Sequence, residues 1–557
     1  MSTNTNTSNK QVSECLAYFD GCSDDFIREF VAGLSSSDHK RLLETLTNSQ
    51  PTLPSNCLSY SLDGQICLSK HPERLSGIKK VQIVIPSLSV DTDELQKVEG
   101  VSHYEERSLY SLLSLKDPSL YLIYVTSLPL LPSTVHHYLS LVGESASKRV
   151  AFFSTFDDSA KQTLTMKILQ RPRLIAKIRQ LMNCFGDVER DMMCFIPTHD
   201  EHELAKRLDA TLAASPEDVQ CWGTKSGSRK IFKESKVPHP RGVCESIWDE
   251  NELAKQVSAL WKDIPSMKRL VVKLNEGFSG KGNALLLMEP IASRIGDSDE
   301  QKTRISEIKA EFPNLKFESD SETWENFKQR IEEIGCIIEE FIEGEEKKSP
   351  SLQATVHEDG STKILSTHEQ VLGGDDGQVY LGCHFPCDTS YRLKLHQYGK
   401  NIAEALSKKG ARGRFAVDFI IVPNGEDSDI FAIEINLRQG GTTHPYETLQ
   451  LLTGGDYSEE QGSFVTEQGD EKYYVASDNL QKEFYRGVLP SDLISILEEH
   501  ELLYNKESHT GCVLHLMGAL SQFGKFGICC IGNSLKDSQA IYHKVQQVLD
   551  DELNESK

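Results

Sequence analysis

The sequence predicts an α/β protein of several domains, and three observations predict it. From residue 78 to about 200, short apolar runs alternate with helical patterns. From 201 to 455 the runs pair into strand–turn–strand hairpins whose polar faces carry carboxylates and lysines. From 456 to 557 an acidic loop leads to two further strand patterns and a closing helix. Strands alternating with helices argue for a parallel sheet with crossovers, and strands joined by turns argue for an antiparallel one. At 557 residues the chain is long enough for several separate cores.

Taken in order, residues 1–77 begin Ser/Asn-rich, carry short helical patterns ("DDFIREFVAGL", "DHKRLLETL") and reach the linker-like "NSQPTLPSN". They are expected as an extension, partly disordered or helical. "KVQIVIPSL", "LYLIYVTSLP" and "KRVAFFST" then read as buried strands, with "TVHHYLSLVG" and "QTLTMKILQRPRLIAKIRQLM" as helices. The strands end in Ser, Thr and Pro, where loops at carboxyl ends form a crevice. No G-x-G-x-x-G occurs there, so a dinucleotide site is not expected. A helix over "EHELAKRLDATLAAS" and a Lys/Arg-rich helix precede the hairpins, and "GCVLHLMGAL…FGKFGICCIGNS" with "KDSQAIYHKVQQVLDDE" forms a small α/β piece at the end.

Composition narrows the class. Hydrophobic residues make up 38% and charged residues 26%, as in soluble globular proteins. No run of about 18 apolar residues occurs, so no transmembrane helix is expected, and the polar N-terminus lacks the apolar stretch of a secretory signal. Fourteen cysteines without framework spacing point to reduced thiols and a cytoplasmic location. The net charge of −23 argues against a nucleic-acid or anionic-membrane binder but leaves room for anionic small molecules in a local positive pocket.

The strand "FAIEINLRQGGTTHP" carries the densest chemistry. Alternation sends Phe431, Ile433, Ile435 and Leu437 to one face and Ala432, Glu434, Asn436 and Arg438 to the other. "PNGEDSD" joins it to the preceding strand "GRFAVDFIIV" as a turn. With Glu426 central in that turn, Asp418 and Glu434 stand opposite each other, about 5 Å apart. Carboxylates that close repel unless a cation sits between them. With the Asn436 oxygen they make a hard-oxygen site suited to Mg²⁺ or Mn²⁺ bridging phosphates. Alone, the same face also fits the solvated side of an edge hairpin.

Upstream, "RLVVKLNEGFSGKGNALLLM" is strand, glycine-rich turn, strand. Gly277, Gly280 and Gly282 let backbone N–H groups approach a phosphate, and Lys273 and Lys281 add charge. It is not a Walker A loop, since Gly282 stands where Ser or Thr is required and Asn275 replaces the earlier glycine. A plain hairpin tip fits it too. "CIIEEFIEGEEKK" is either a charged strand end or a strand offering backbone groups to an adenine and a carboxylate to a ribose.

Basic helix, lysine strand with glycine turn, Glu-Glu strand and Asp hairpin with Glu-x-Asn, in that order, resemble the ATP-grasp superfamily. "GTKSGSRKIFKESKVPHPRG" looks like its lysine-bearing helix and the G-V-P-x-P-x-G turn, with Lys236 in place of the Gly. The resemblance implies an ATP-grasp fold at 201–455, preceded by a Rossmann-like pre-ATP-grasp domain at 78–200 and followed by a small α/β C-terminal domain at 456–557. It implies that Lys225 and Lys273 hold ATP phosphates under a flap of residues 276–283, Ser279 included. Glu339 would receive the adenine amino group, beside Glu340, with the backbone of Phe341 and Ile342 bracketing the ring and Glu346 on the ribose. Asp418, Glu434 and Asn436 would ligate two Mg²⁺ (or Mn²⁺) ions. Arg438, with Lys273, would be catalytic, because positive charge stabilises a carboxylate while it is phosphorylated into an anhydride that an amine can attack.

Several segments narrow the resemblance to pheganomycin-type peptide ligases and the related region of IQ-motif-containing protein H. "VIPSLSVD", "HYEERSL", "IYVTSLPLLPSTVHHYL" and "ILQRPRL" resemble the pre-ATP-grasp domain, "STHEQVLGGDDGQVYLGCHFP" and "EINLRQGGTTHP" the core, and "TGCVLHLMGALSQFGKFGICCIGNS" the C-terminal domain. No IQ motif is present, so calmodulin binding is not implied. The implied activity is ATP-dependent carboxylate–amine ligation through an acyl phosphate, with a small carboxylic acid and an amine or amino acid as substrates. A small-molecule kinase and a non-catalytic ATP-binding scaffold are the alternatives. Arg438 counts against the first, and the full set of lysines and metal carboxylates against the second. His368, Gln370, Gln378, Arg414 and His444 are candidate substrate contacts, for each of which a structural role fits equally well. Cys383, His384 and Cys387 are a weak zinc signal, Cys529 and Cys530 suit a core strand, and the 103–107 segment suits domain packing.

Overall fold

Each apolar run of the first region becomes a strand because helices on both sides of the sheet remove it from water. The computed structural model describes residues 65–67 and 75–554, apart from 91, 97, 277–281, 297–299, 318–321, 374–378 and 426. These belong to one unit, 59–557. The helical patterns of the first 64 residues lie outside the described residues.

The first sheet comprises β1 (Gln65–Cys67), β2 (Lys80–Ile85), β3 (Leu120–Thr126), β4 (Val150–Ser154), β5 (Glu189–Cys194) and β6 (Thr211–Leu212). Its order is β1-β4-β3-β2-β5-β6, with β2 to β6 parallel and β1, from within the expected extension, antiparallel to β4. All seven residues of β3 are buried. Strand order reverses around β2, which pairs with β3 on one side and β5 on the other. A crevice opens at the carboxyl ends of the strands at such a point. The helix expected over 162–182 is two, Leu164–Leu169 and Pro172–Asn183, because Pro172 lacks an N–H and is accommodated only at a helix start. The helix expected to reach Ser215 stops at Leu208, where Asp209 adopts φ 58° and the chain turns into β6.

The second sheet is antiparallel, with β7 (Arg269–Leu274), β8 (Asn283–Leu287), β9 (Lys316–Phe317) and β10 (Cys336–Glu340) in the order β10-β7-β8-β9. Helices Glu250–Asp263, Gln301–Glu311 and Trp324–Ile334 pack on it through Leu253, Val257, Ile308, Phe327 and Ile331.

The third sheet has β11 (Pro350–Val356), β12 (Thr362–Gly373), β13 (Val379–Phe385), β14 (Gly413–Asn424), β15 (Asp427–Asn436), β16 (Asp456–Ser458), β17 (Ser463–Val465), β18 (Glu471–Gln481), β19 (Gly511–His515) and β20 (Lys525–Gly532). The path runs β15-β14-β11-β12-β13-β18, with β20 pairing β18 and β19 pairing β20. Helix Thr389–Lys408 covers one face through Leu395, Ile402 and Leu406, all fully buried. The sheet crosses the boundary expected at 455/456, since Cys383 of β13 pairs with Ala476 of β18. An aromatic cluster spans the same seam, where Phe385 stacks on Tyr474 at 4.7 Å and also meets Tyr446, Tyr457 and Phe464.

That shared core predicts that Phe385→Ala costs about 3–5 kcal/mol. The loss is expected as one shifted denaturant transition reported equally by probes before and after residue 455. A separate early transition of 456–554 would contradict it.

Candidate active site

The hairpin that carries the carboxylates is tighter than the sequence suggested. Asn424 pairs with Asp427, and Gly425 takes the left-handed φ of 64° that such a turn needs. Carried down the strands unbroken, that register sets Asp418 against Ile433. A one-residue shift between Asp418 and Phe419 makes Ile433 a bulge and restores the Asp418–Glu434 pair. The expected apolar face therefore changes over at the bulge. Ala432, Ile435 and Leu437 are buried, whereas Phe431 and Ile433 are only half-buried.

Pairing places Glu434, Asp418, Ser351 and His368 in one row across four strands. Nε2 of Gln370 donates to Oδ1 of Asp418 at 2.9 Å, and Nδ2 of Asn436 donates to Asp418 Oδ2 at 2.9 Å and Glu434 Oε1 at 3.1 Å. Lys225 forms an ion pair with Glu434. Burial and the facing Glu434 push the Asp418 carboxyl up to about 6, against Ser351, Arg438 and Lys225. Burial acts upward on Glu434 too, but Lys225, helped by Lys273 and Asn436, outweighs it and holds this carboxyl down at about 2. Two carboxylates and an amide form a hard-oxygen donor set that fits a divalent cation. The Asn436 amide turns its nitrogen to the carboxylates and its oxygen to Arg438 Nη2 at 2.9 Å, so ligation by that oxygen requires the amide to flip.

Lys225 opens the helix Lys225–Glu234, whose first turn is capped by Thr224 Oγ1 accepting from Gly227 N–H. Asn275, just past β7, fixes that helix against the second sheet by accepting from Ser226 N–H at 3.1 Å. Four residues after Lys225 on the same helix, Arg229 is 2% exposed and reaches Glu339 at 2.9 Å. Lys273 pairs with the other Glu339 oxygen, because Ile337 opposes Lys273 and Glu339 lies two residues along the same face. Sequence reasoning missed Arg229, although its spacing from Lys225 signalled a shared helix face.

The remaining nucleotide candidates divide. Glu339 is buried between Lys273 and Arg229, and Glu340 turns the other way to Arg241 at 2.8 Å. Phe341 N–H already donates to Arg269 O at 3.2 Å, so it is not a donor for an adenine, while its ring packs under the Arg269 guanidinium. Ile342 follows β10 in irregular chain, and Glu346 is exposed. Gly282 O closes the β7–β8 hairpin on Leu274 N–H. Gly277, Ser279, Gly280, Lys281 and Gln378 lie outside the described residues.

Two substrate candidates, His368 and His444, are buried, and a third, Arg414, is half-buried. His368 shares the carboxylate row, but at the end roofed by Phe385 and Tyr474; it bonds Tyr474 Oη at 2.6 Å, and burial pushes its imidazole down to about 3. Arg414 is spent on Glu447. His444 is 4% exposed and faces Asp478 and His515. Gln370 stays at the site, as the partner of Asp418. Cys383, Cys387, Cys529 and Cys530 are core residues. A cleft of ≈ 1120 Å³ opens between Ser89, Val90 and Pro197–His199 beyond β2 and β5, Gln329 and Arg330 on helix Trp324–Ile334, and a floor holding Lys225, Asn436 and Arg438.

The raised Asp418 pKa means that folding takes up a proton there between about pH 4 and 6, and ionisation costs stability above that window. In metal-free buffer Asp418→Asn is expected to be about 1–2 kcal/mol more stable than the parent near pH 8, with the gap closing towards pH 4. Denaturant midpoints at both pH values check this, and a gap independent of pH would refute it.

The family described as IQCH-like, ATP-grasp matches residues 216–459, and the PGM1 C-terminal domain matches 492–545. The chain is 27% identical over 482 residues to L-propargylglycine–L-glutamate ligase of Streptantibioticus cattleyicolor, covering 84% of this chain and 94% of that protein. It is 20% identical to IQ motif-containing protein H of Danio rerio over 70% of this chain and 40% of that protein. Among solved structures, the biotin carboxylase domain of Hydrogenobacter thermophilus 2-oxoglutarate carboxylase aligns with TM-score 0.49 at 12% identity, over 82% of this chain and 86% of its own. N5-carboxyaminoimidazole synthetase of Staphylococcus aureus aligns with TM-score 0.46 at 12% identity, over 84% and 97%. Residues 216–459 are thus an ATP-grasp domain of the IQCH-like kind, and residues 492–545 match the PGM1 C-terminal domain.

Proposed function

We propose that this chain is an ATP-dependent carboxylate–amine ligase that works through an acyl phosphate and releases ADP and phosphate. The observation that carries the reading is Arg438, which lines the cleft two residues past Asn436 and donates to its amide oxygen. A guanidinium fixed there, next to the cation-binding face, suits the charge that develops as a substrate carboxylate is phosphorylated. Asp418, Glu434 and Asn436 would hold Mg²⁺ or Mn²⁺, as two ions, and the bound metal would neutralise phosphate oxygens. Lys225 and Lys273 would bind those phosphates, with Glu339 and Arg229 orienting Lys273. The γ-phosphoryl group of ATP passes to a carboxylate oxygen of the substrate as its bond to the bridging oxygen breaks and ADP leaves. The amine then attacks the carbonyl carbon, expels phosphate and gives up its surplus proton to that phosphate or to water.

Similarity along 94% of a ligase named for joining two amino acids supports amino-acid-sized substrates, one giving a carboxylate and the other an amine. Ser89, Thr198 and His199 on one wall and Arg330 on the other offer polar groups to them. The ten cysteines with described side chains are free thiols, which supports a cytosolic setting, and among the described residues no helix is long and apolar enough to cross a membrane.

The test is ATP turnover with Mg²⁺, pooled amino acids and small acids, and hydroxylamine as surrogate amine. ADP and a hydroxamate are expected, falling about 10²–10³-fold in kcat in Arg438→Ala and disappearing in Glu434→Ala. A phosphorylated product without hydroxamate would replace the ligase with a kinase, and bound ATP without ADP from any pool would replace it with a scaffold.

A further inference from the structure

Away from the cleft, three buried side chains from separate elements meet at one point. His444 lies in the first turn of the helix Thr443–Thr453, Asp478 in β18 and His515 at the end of β19. His515 Nε2 is 2.7 Å from Asp478 Oδ1, His444 Nε2 is 3.2 Å from the same oxygen, and the two nitrogens are 3.0 Å apart. Relative exposures are 4%, 4% and 2% for His444, Asp478 and His515. Among the described residues this is the group of His, Cys, Asp and Glu side chains able to converge on one ion.

Hydrogen bonds alone do not satisfy the triangle. If both imidazoles carry a proton on Nε2, two N–H bonds crowd together on one oxygen. If only His515 does, the His444 lone pair faces a carboxylate oxygen. Either arrangement leaves one repulsive edge among three buried side chains. His444 makes its polar contacts through Nε2 only, since its Nδ1 is buried without a partner, so what Nε2 faces decides where the ring sits.

The surroundings suit a cation at the centre. Arg107 Nε stands 3.5 Å from Asp478 Oδ2, the oxygen turned away from the histidines, which keeps the carboxylate anionic and leaves Oδ1 to the site. Gly527 pairs with His515 across β19 and β20, and a Cβ there would come within 2.2 Å of His515 Nε2, so the imidazole lies where only glycine permits it.

We propose that His444, Asp478 and His515 bind a divalent first-row cation, Zn²⁺ by preference, in a structural site separate from the Asp418–Glu434 pair. Two imidazoles and a carboxylate are a borderline-soft donor set that suits Zn²⁺ over Mg²⁺. Tetrahedral ligands around zinc stand about 3.4 Å apart, so the ion is admitted when edges of 2.7, 3.0 and 3.2 Å open, the shortest by about 0.7 Å. The three side chains would leave the fourth tetrahedral position open to a water. The ion staples the helix after the catalytic strand to β18 and β19 of the C-terminal part, and it is independent of whether the chain is a ligase.

The test is metal content of the full chain, loaded with Zn²⁺, gel-filtered and analysed by mass spectrometry. One zinc per chain is expected in the parent and in Glu434→Gln, and none in Asp478→Asn or His515→Gln. A chelator is expected to lower the Tm of the parent and leave that of Asp478→Asn unmoved. Should those variants not fold, Co²⁺ loading of the parent decides: visible bands of tetrahedral nitrogen-ligated Co²⁺ that persist in excess Mg²⁺ support the site. Zinc below about a tenth of an equivalent in the folded parent, content unchanged in the variants, or Co²⁺ bands absent or abolished by Mg²⁺ would each overturn it.

Discussion

Two carboxylates held face to face in a poorly solvated cleft are the constraint on which the rest of the site depends. Asp418 and Glu434 cannot both be ionised there without nearby positive charge, and every element around them answers that demand. The helix at 225–234 brings Lys225 onto Glu434, Asn436 donates to both, Gln370 bonds Asp418, and Arg438 closes the far side. These partners come from three separate stretches of chain, and because Asn275 fixes the helix of Lys225 against the second sheet, the pair couples that sheet to the third. Any further positive charge brought beside such a pair stabilises it.

The position of the cleft follows from how one face of the third sheet is roofed. Along the row Glu434–Asp418–Ser351–His368 the chemistry is polar throughout, but the His368 end lies under the aromatic cluster of Phe385, Tyr446 and Tyr474. Beyond the other end of the row, Asn436 and Arg438 line the cleft, which Ser89, Val90 and Pro197–His199 of the first sheet's loops also line. The cleft's walls thus come from loops of the first sheet and from the helix Trp324–Ile334, and Lys225, Asn436 and Arg438 come from the helix at 225–234 and the end of the third sheet's β15.

The segment at 101–116 shows how the parts are locked together. Glu106 accepts from Gly518 N–H, Tyr104 Oη accepts from Lys525, and Arg107 meets Asp478. A run of charged residues expected to serve packing therefore sits between the first sheet and the C-terminal strands. Asp478 is the point at which that segment, the helix Thr443–Thr453 and β19 converge.

Much of this was legible in the amino-acid sequence by itself. Period-two alternation and turn chemistry placed the carboxylate hairpin, the lysine strand with its glycine turn, and the Glu-Glu strand, because strands and turns are set by neighbours a few residues away. The Asp418–Glu434 pair was legible as well, although by a wide turn that the chain does not form. Only the tertiary structure decided the bulge at Ile433 that makes the pair, the sheet that ignores the 455/456 boundary, the roof over His368, the pairing of Arg414 with Glu447, and the meeting of His444, Asp478 and His515. Each of these depends on which distant segment excludes water from a side chain or supplies its opposite charge, and such partners lie tens to hundreds of residues away, beyond the reach of local periodicity.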